Sequence, residues 1–201
     1  MLSKAYTFLV GIILFGICSS AYPEQEKYEK SQERWVEKVF ESLSEEERIA
    51  QLFSVATASY ANEATRHYIY EKEEEHYQAI EELIRRYNIG GLSFFKGRPI
   101  KQAQLINRYQ KAAKTPLLIA MDAEWGAGMR LDSTISYPKQ MTLGAIHDNQ
   151  LIYNMGAEIA RQLRLLGVHI NFAPVIDINN NPKNPVIGSR SFGDDKYKVA
   201  E

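Results

Sequence analysis

The 201-residue sequence contains a single cysteine, Cys18. An internal disulfide needs two cysteines and a cysteine-based zinc site needs several, so both are excluded. The 24 lysines and arginines are balanced by 25 acidic residues, which leaves a net charge of -1 and no basic surface for nucleic acid. A hydrophobic content of 45% with 24% charged residues is ordinary globular composition. The sequence therefore predicts a protein with a hydrophobic core and without a nucleic-acid partner.

The N-terminus has the layout of a secretory signal peptide. Lys4 lies in a short positive region, an apolar run follows at positions 8–17, and the small residues Ser20 and Ala21 come after it. The apolar run is too short to span a bilayer comfortably. Residues 1–21 are therefore interpreted as a signal peptide, and the protein is expected to be periplasmic or extracellular, without a stable membrane span after cleavage. An uncleaved N-terminal membrane anchor is the alternative.

Residues 22–88 are predicted to form an N-terminal helical segment. Apolar residues recur at helical spacing within 23–48, and again in the stretch that precedes Asn88. Ser44 and Glu47 have the spacing of a capping box, in which each side chain accepts a hydrogen bond from the backbone of the other. A second helix is therefore expected to begin at Ser44, and a further one to end at Asn88.

From position 89 onward, short apolar runs alternate with helical stretches. The apolar runs lie at 89–95, 116–121 and 168–173, and the helical stretches between them lie at 99–113 and 148–166. Apolar strands joined by helices favour a parallel sheet that helices cover, because such strands are buried on both faces. The fold class is therefore α/β, either an open doubly wound sheet or a closed (β/α)8 barrel.

The C-terminal end of the sequence lies within this pattern. Asp194 and Asp195 are good helix caps, and a helix is expected to begin at 196–201 without room to finish. An eight-unit barrel has about 250 residues, so three strands represent under half of it. Residues 89–201 are accordingly expected to be the first three β/α units of a barrel that is truncated at its C-terminus.

The loops that follow the second and third predicted strands combine carboxylates, arginines and glycines. Parallel α/β folds build ligand sites at the carboxyl ends of their strands. Asp122 ends the second strand, where its carboxylate either accepts two vicinal sugar hydroxyls or forms a turn with its own backbone. Arg130 and Arg190 are forked donors for hydroxyls, carboxylates or phosphates, and surface ion pairing is the alternative for each. Trp125 either stacks on a sugar ring or plugs the loop.

Other catalytic and cofactor motifs fail. Gly126 and Gly128 begin like a dinucleotide fingerprint, but Leu131 occupies the position of the third glycine. The stretch from Asp177 begins like a calcium loop, but Pro182 replaces its turn glycine. The four histidines share no metal-ligand spacing, and no Gly-x-Ser-x-Gly elbow is present. The sequence therefore predicts neither a metal nor a cofactor.

Four separated motifs resemble glycoside hydrolase family 3. They lie at 118–130, 137–145, 167–178 and 187–193, and they occur in the order and spacing of that family. The resemblance covers roughly residues 45–201, and the bacterial β-N-acetylglucosaminidases (β-hexosaminidases) are the most similar branch.

The resemblance implies a (β/α)8 barrel and hydrolysis with retention. Its Asp-x-Glu-Gly-Gly-x-x-x-Arg motif implies that Asp122 and Arg130 bind hydroxyls of the terminal sugar. Its Ile-Gly-x-Arg-Ser-Phe-Gly motif implies the same for Arg190. This sequence departs from the family at Trp125 and Ala127, on either side of Gly126, where the family usually has a glycine pair.

No catalytic residue is assigned within this sequence. The family's Lys-His-Phe-Pro-Gly-His-Gly segment, its acid/base loop with a histidine and its nucleophilic aspartate come later in the barrel, and none of them occurs in these residues. The resemblance implies the N-terminal part of an exported glycosidase that removes terminal β-linked N-acetylglucosamine from cell-wall or chitin-type oligosaccharides. A non-catalytic sugar-binding or interaction protein and a family 3 β-glucosidase are the alternatives.

Overall fold

The computed structural model describes residues 29–59, 73–181 and 183–201. The predicted signal peptide lies outside these residues. None of the helices within them is long and apolar enough to cross a membrane. By its internal contacts the chain forms two units, Met1–Arg48 and Ile49–Glu201.

The described part of the first unit contains a helix at 29–42, α1, and the start of α2, Glu45–Ala50. The Ser44 backbone N–H donates to Glu47 Oε2 at 2.9 Å, and the Glu47 backbone N–H donates to Ser44 Oγ at 3.2 Å. These two bonds confirm the predicted capping box. Arg48 donates from Nε to the Phe40 carbonyl at 3.1 Å, with its guanidinium 4.0 Å from the centre of the Phe40 ring.

The second unit alternates strands and helices. Its elements are β1 (Ser54–Ser59), α3 (Glu73–Tyr87), β2 (Gly91–Gly97), α4 (Pro99–Ala112), β3 (Leu118–Met121), α5 (Gln140–Leu143), α6 (Asn149–Leu165), β4 (Ile170–Asn171) and α7 (Lys196–Ala200). Two short 3-10 turns, Ala127–Met129 and Gly188–Arg190, lie in the loops after β3 and β4.

The sheet is entirely parallel, and its strand order is β1-β2-β3-β4. Leu92 at the centre lies opposite Val55 on one side and Ile119 on the other. Helices connect each strand to the next, and each connection leads to the adjacent strand. A doubly wound sheet reverses its strand order at a switch point, whereas a (β/α)8 barrel adds strands in sequence. The described sheet is therefore part of a barrel, as the resemblance implied.

The sheet of the described residues has one strand more than the sequence predicts. The segment 22–88, predicted to be helical and to lead into the barrel, contains β1, so this sheet has four strands where three were expected. Its sequence, Ser-Val-Ala-Thr-Ala-Ser, has a single large apolar side chain, which is why hydrophobic periodicity did not reveal it. Thr57 of β1 is buried, and its hydroxyl lies 3.1 Å from Nε2 of His76 on α3. The hydroxyl therefore has a hydrogen-bond partner inside the core, as buried polar groups require.

The predicted helix boundaries are confirmed closely. α4 begins at Pro99 as expected, and α3 ends before Asn88, which adopts a φ of 55°. Asp148 caps α6 by accepting a hydrogen bond from the Gln150 backbone N–H, and Asp195 caps α7 by accepting one from the Tyr197 backbone N–H. A capping carboxylate satisfies an amide that the helix itself leaves without a partner, so these ends are defined locally.

Helices cover one face of the sheet. The core joins alternate strand residues, such as Phe94 and Ile119, to apolar side chains of α3, α4 and α6. On the other face, Phe95 and Leu118 are exposed. This alternation follows from the two-residue period of a strand, and it leaves the carboxyl ends of β3 and β4 to form the site.

Candidate functional site

The loop after β3 brings Asp122 and Arg130 together. Asp122 follows the last residue of β3, and the 3-10 turn Ala127–Met129 returns the chain toward it. Arg130 donates from Nε to the Asp122 carbonyl at 2.7 Å and from Nη2 to Asp122 Oδ2 at 2.5 Å. The Nε–Nη2 edge of the guanidinium therefore forms hydrogen bonds to both the backbone carbonyl and the side chain of Asp122.

This ion pair leaves hydrogen-bonding capacity on both partners. The Asp122 and Arg130 side chains are 26% and 17% exposed, so solvent or a ligand can reach them. Within the described ranges, neither Asp122 Oδ1 nor Arg130 Nη1 has a hydrogen-bond partner. The resemblance implies that Asp122 binds sugar hydroxyls, and in the structure one of its carboxylate oxygens, Oδ2, accepts a hydrogen bond from Arg130.

Two glycines allow the loop after β3 to take this shape. Gly126 has a φ of 93°, and a Cβ at that position would lie 2.8 Å from Cδ2 of Tyr137. A Cβ on Gly128 would lie 2.7 Å from the Ile135 carbonyl oxygen, which accepts the Gly128 backbone N–H at 2.9 Å. A side chain at either position would push the loop away from residues 135–137.

A second carboxylate–arginine pair joins the two loops. Arg190 donates from Nε to Glu124 Oε1 and Oε2 at 3.0 and 2.9 Å, and from Nη2 to Oε1 at 2.6 Å. The Glu124 side chain is 1% exposed and the Arg190 side chain 32%. Sequence reasoning did not assign a role to Glu124. The available signal was its place in the same loop, two residues after Asp122.

Carboxylates of both loops lie close to Arg190. Its pKa is raised above the ordinary value, first by the hydrogen bond to Glu124 and further by the charges of Glu124, Asp122 and Asp177, although burial opposes the rise. The structure thus brings the three predicted residues, Asp122, Arg130 and Arg190, to one end of the parallel sheet.

Helix α5 supports both loops from behind. The Gln140 side chain, which is buried, donates to the Glu124 carbonyl at 3.1 Å. Gly144 follows this helix, and a Cβ there would lie 1.7 Å from the carbonyl oxygen of Phe192, so the two backbones are in direct contact. The motif at 137–145 therefore contributes structural support beneath the site.

β4 fixes the end of β3. The Asn171 side-chain oxygen accepts the Ala123 backbone N–H at 2.9 Å, and its amide nitrogen lies 3.4 Å from the Ala123 carbonyl. His169 Nδ1 accepts the Ile119 backbone N–H at 3.0 Å. These side chains extend the pairing of two short strands, and they hold the backbone on either side of Asp122.

Trp125 is half-buried beside the site. The Lys139 ammonium lies 5.1 Å from the centre of its ring, and the Trp125 carbonyl accepts the Tyr137 backbone N–H at 2.9 Å. A cation over an aromatic face is a favourable contact. Lys139 therefore lies over one face of the indole.

The structure is thus part of a (β/α)8 barrel with two carboxylate–arginine pairs at the carboxyl ends of its strands. The family model described as "Glycosyl hydrolase family 3 N terminal domain" matches residues 44–201. The chain therefore belongs to glycoside hydrolase family 3.

Named relatives agree with this assignment. The chain is 39% identical over 135 residues to β-hexosaminidase A of Pseudoalteromonas piscicida, with 61% of this chain and 23% of the relative covered. It is 28% identical over 166 residues to the β-N-acetylglucosaminidase/β-glucosidase of Cellulomonas fimi, with 83% and 27% covered.

A solved structure shows the same relationship. The family 3 β-N-acetylglucosaminidase of Paenibacillus sp. str. FPU-7 superimposes with a TM-score of 0.61 at 33% identity, and the match covers 79% of this chain and 29% of that one. The chain thus spans between a fifth and a third of the length of these relatives.

Proposed function

We propose that the protein containing this chain is a retaining glycoside hydrolase that removes terminal β-linked N-acetylglucosamine from oligosaccharides. In this proposal the chain supplies the loops that bind the terminal sugar. The observation that carries it is the convergence of Asp122, Arg130 and Arg190 at the carboxyl ends of parallel strands in a family 3 domain. The names of the Pseudoalteromonas and Paenibacillus relatives support the sugar.

The chemistry of the site suits a sugar ring. A hydroxyl group both donates and accepts hydrogen bonds, so it needs an acceptor and a donor close together. Asp122 Oδ1 is the acceptor, and the N–H groups that Arg130 and Arg190 do not use on their carboxylate partners are the donors. Such bonds accelerate the reaction to the extent that they strengthen as the ring flattens in the oxocarbenium-like transition state.

The nucleophile and the acid/base are proposed to come from other parts of the protein. Retaining hydrolysis requires two catalytic groups, typically carboxyls about 5 Å apart. The family resemblance implies a histidine as the proton donor in this branch. Glu124 is buried and bound by three contacts to Arg190, and Asp122 is bound by Arg130. Both carboxylates are therefore suited to binding and orientation and not to nucleophilic attack.

The experiment is an assay of the complete gene product with aryl β-N-acetylglucosaminide and aryl β-glucoside in parallel. We expect faster hydrolysis of the first substrate, and a β-configured product when the reaction is followed by NMR before mutarotation. A preference for the glucoside would favour the β-glucosidase alternative, which the name of the Cellulomonas relative supports. Binding of N-acetylglucosamine without hydrolysis would favour a non-catalytic sugar-binding protein.

We also propose that the protein is exported, with residues 1–21 removed as a signal peptide. The proposal rests on the positive region, apolar run and small residues at the N-terminus. Cell fractionation with N-terminal sequencing of the mature protein tests it. Recovery of an intact N-terminus from the membrane fraction would favour the anchor, and recovery from the cytoplasm would contradict export.

A further inference from the structure

We infer that Glu124 is a positioning residue for Arg190. Glu124 holds the guanidinium by its Nε–Nη2 edge, and this leaves the Nη1–Nη2 edge as the pair of donors for a sugar hydroxyl. The inference rests on the proposed function, since it assigns Arg190 to substrate binding.

The Glu124 carboxylate is dedicated to Arg190. It is almost completely buried, and among the described residues Arg190 is the only group that donates hydrogen bonds to it. Its backbone is held on both sides, because its carbonyl accepts the Gln140 amide and its N–H lies 3.3 Å from Met129 Sδ. Glu124 thus has a fixed place at the end of β3.

Arg190, in contrast, lies in a long irregular loop 66 residues later in the chain. A free arginine side chain has several rotatable bonds, and ordering it when a ligand binds costs entropy. The contact with Glu124 orders the side chain before the sugar arrives. The remaining Nη1 contact, to the carbonyl of Val186 at 3.4 Å, is long and lies within the same loop.

The loop has contacts of its own besides the ion pair. The Ser191 hydroxyl donates to the Asp177 carbonyl at 2.5 Å, and the Asn179 backbone N–H donates to the Gly193 carbonyl at 2.8 Å, so the end of the loop is bonded to its beginning. Backbone contact between Gly144 and the carbonyl of Phe192 attaches the loop to α5. Removal of the Glu124 charge should therefore release the arginine side chain and leave the loop in place.

The test is the Glu124→Gln variant of the complete gene product, assayed with aryl β-N-acetylglucosaminide. We expect KM to rise about 10- to 100-fold, because misplacement of a binding group weakens every contact it makes. A purely structural role would reduce the folded fraction, which lowers the apparent kcat and leaves KM unchanged. Glu124→Asp keeps the charge and should retain a KM between those of the wild type and Glu124→Gln.

The matched control is Glu158→Gln on α6. Glu158 also pairs with an arginine through Nε and Nη2, namely Arg161 at 2.7 Å for both bonds, but on an exposed surface of α6. Its kcat and KM should equal those of the wild type. In a double variant, Glu124→Gln should add no loss of kcat/KM to that of Arg190→Gln, because it acts through that arginine.

An unchanged KM in Glu124→Gln, or additive losses in the double variant, would overturn the inference. If the wild type does not hydrolyse the aryl substrate, the proposed function fails separately. The crystal structure of Glu124→Gln then decides: a displaced Arg190 guanidinium on an unchanged loop supports positioning, and a guanidinium still held against residue 124 overturns it.

Discussion

Replacement of Arg190 by alanine should destabilise the protein far more than replacement of a surface arginine. Arg190→Ala removes every hydrogen bond that the described residues donate to the Glu124 carboxylate, whose side chain is 1% exposed. Breaking a buried ion pair from one side costs about 3 to 5 kcal/mol in free energy of unfolding. Arg190 itself is 32% exposed, so water can reach part of the vacated space. We therefore expect about 2 to 3 kcal/mol, at or below the lower end of that range.

The cost of Arg190→Ala comes largely from the unpaired charge that it leaves buried on Glu124. In the double variant Glu124→Gln, Arg190→Ala, the neutral amide is less costly to bury than an unpaired carboxylate. The double variant should therefore be more stable than Arg190→Ala alone, by about 1 kcal/mol or more. This reversal separates the cost of an unpaired charge from the simple loss of a side chain.

The measurement is urea denaturation of the complete gene product, followed by circular dichroism, with midpoints and slopes compared between variants. Arg161→Ala on α6 is the control, because its pair with Glu158 is exposed and should contribute under about 1 kcal/mol. An Arg190→Ala cost equal to that of Arg161→Ala would refute the reasoning. A double variant no more stable than Arg190→Ala would refute it equally.

Three further predictions concern the site and the core. Asp122→Ala should lower kcat/KM for aryl β-N-acetylglucosaminide, which corresponds to a loss of about 2 to 4 kcal/mol of transition-state stabilisation. The loss should exceed that of Arg130→Ala, because Arg190 still binds the sugar in that variant. Wild-type kinetics in Asp122→Ala would contradict the role of Asp122. Gly126→Ala should destabilise the fold by about 1 to 3 kcal/mol, since the φ of Gly126 is 93° and an added Cβ would meet the ring of Tyr137. Gly156→Ala, at a position in α6 where an added Cβ meets no atom, should stabilise the fold by about 0.5 to 1 kcal/mol. Equal urea midpoints for the two variants would contradict this prediction. Burial lowers the pKa of His76 below its ordinary value of 6.5, so on acidification the histidine is protonated at a higher pH in the unfolded chain than in the folded one, and the free energy of unfolding should fall as the pH drops below 6.5. The urea midpoint of His76→Gln should fall less than that of the wild type over the same range. An equal fall in both proteins would contradict a contribution from His76.

The sequence was informative where a local pattern has a direct physical cause. Asp148 and Asp195 cap the helices that begin beside them, because a carboxylate bonds to amides only two residues away. The run at 116–121 was predicted as a strand, and β3 occupies Leu118–Met121, with Ile119, Ala120 and Met121 buried. The sequence did not reveal β1 because the strand consists mostly of small and polar residues. The burial of its Thr57 depends on a hydrogen bond to His76, which lies 19 residues further along the chain and which no local pattern indicates.

In the candidate site, the sequence indicates which residues are present, but not the contacts between them. The positions of Asp122, Arg130 and Arg190 could be chosen from the sequence because each follows a recognisable strand or motif, and parallel strands end at a common edge. The bond between Asp122 and Arg130 could not be inferred, because it depends on how Gly126 and Gly128 let the loop return.

The sequence by itself determined the helices of the described residues other than α5, the caps at Ser44, Asp148 and Asp195, three of the four strands of the described sheet, and the loops that contain the polar residues. Only the tertiary structure decided that both arginines are held by carboxylates before any ligand binds. Local patterns encode burial and capping within a few residues of the chain. The Glu124–Arg190 pair spans 66 residues, and it forms because α5 and β4 support the end of β3 and the loop that carries the arginine.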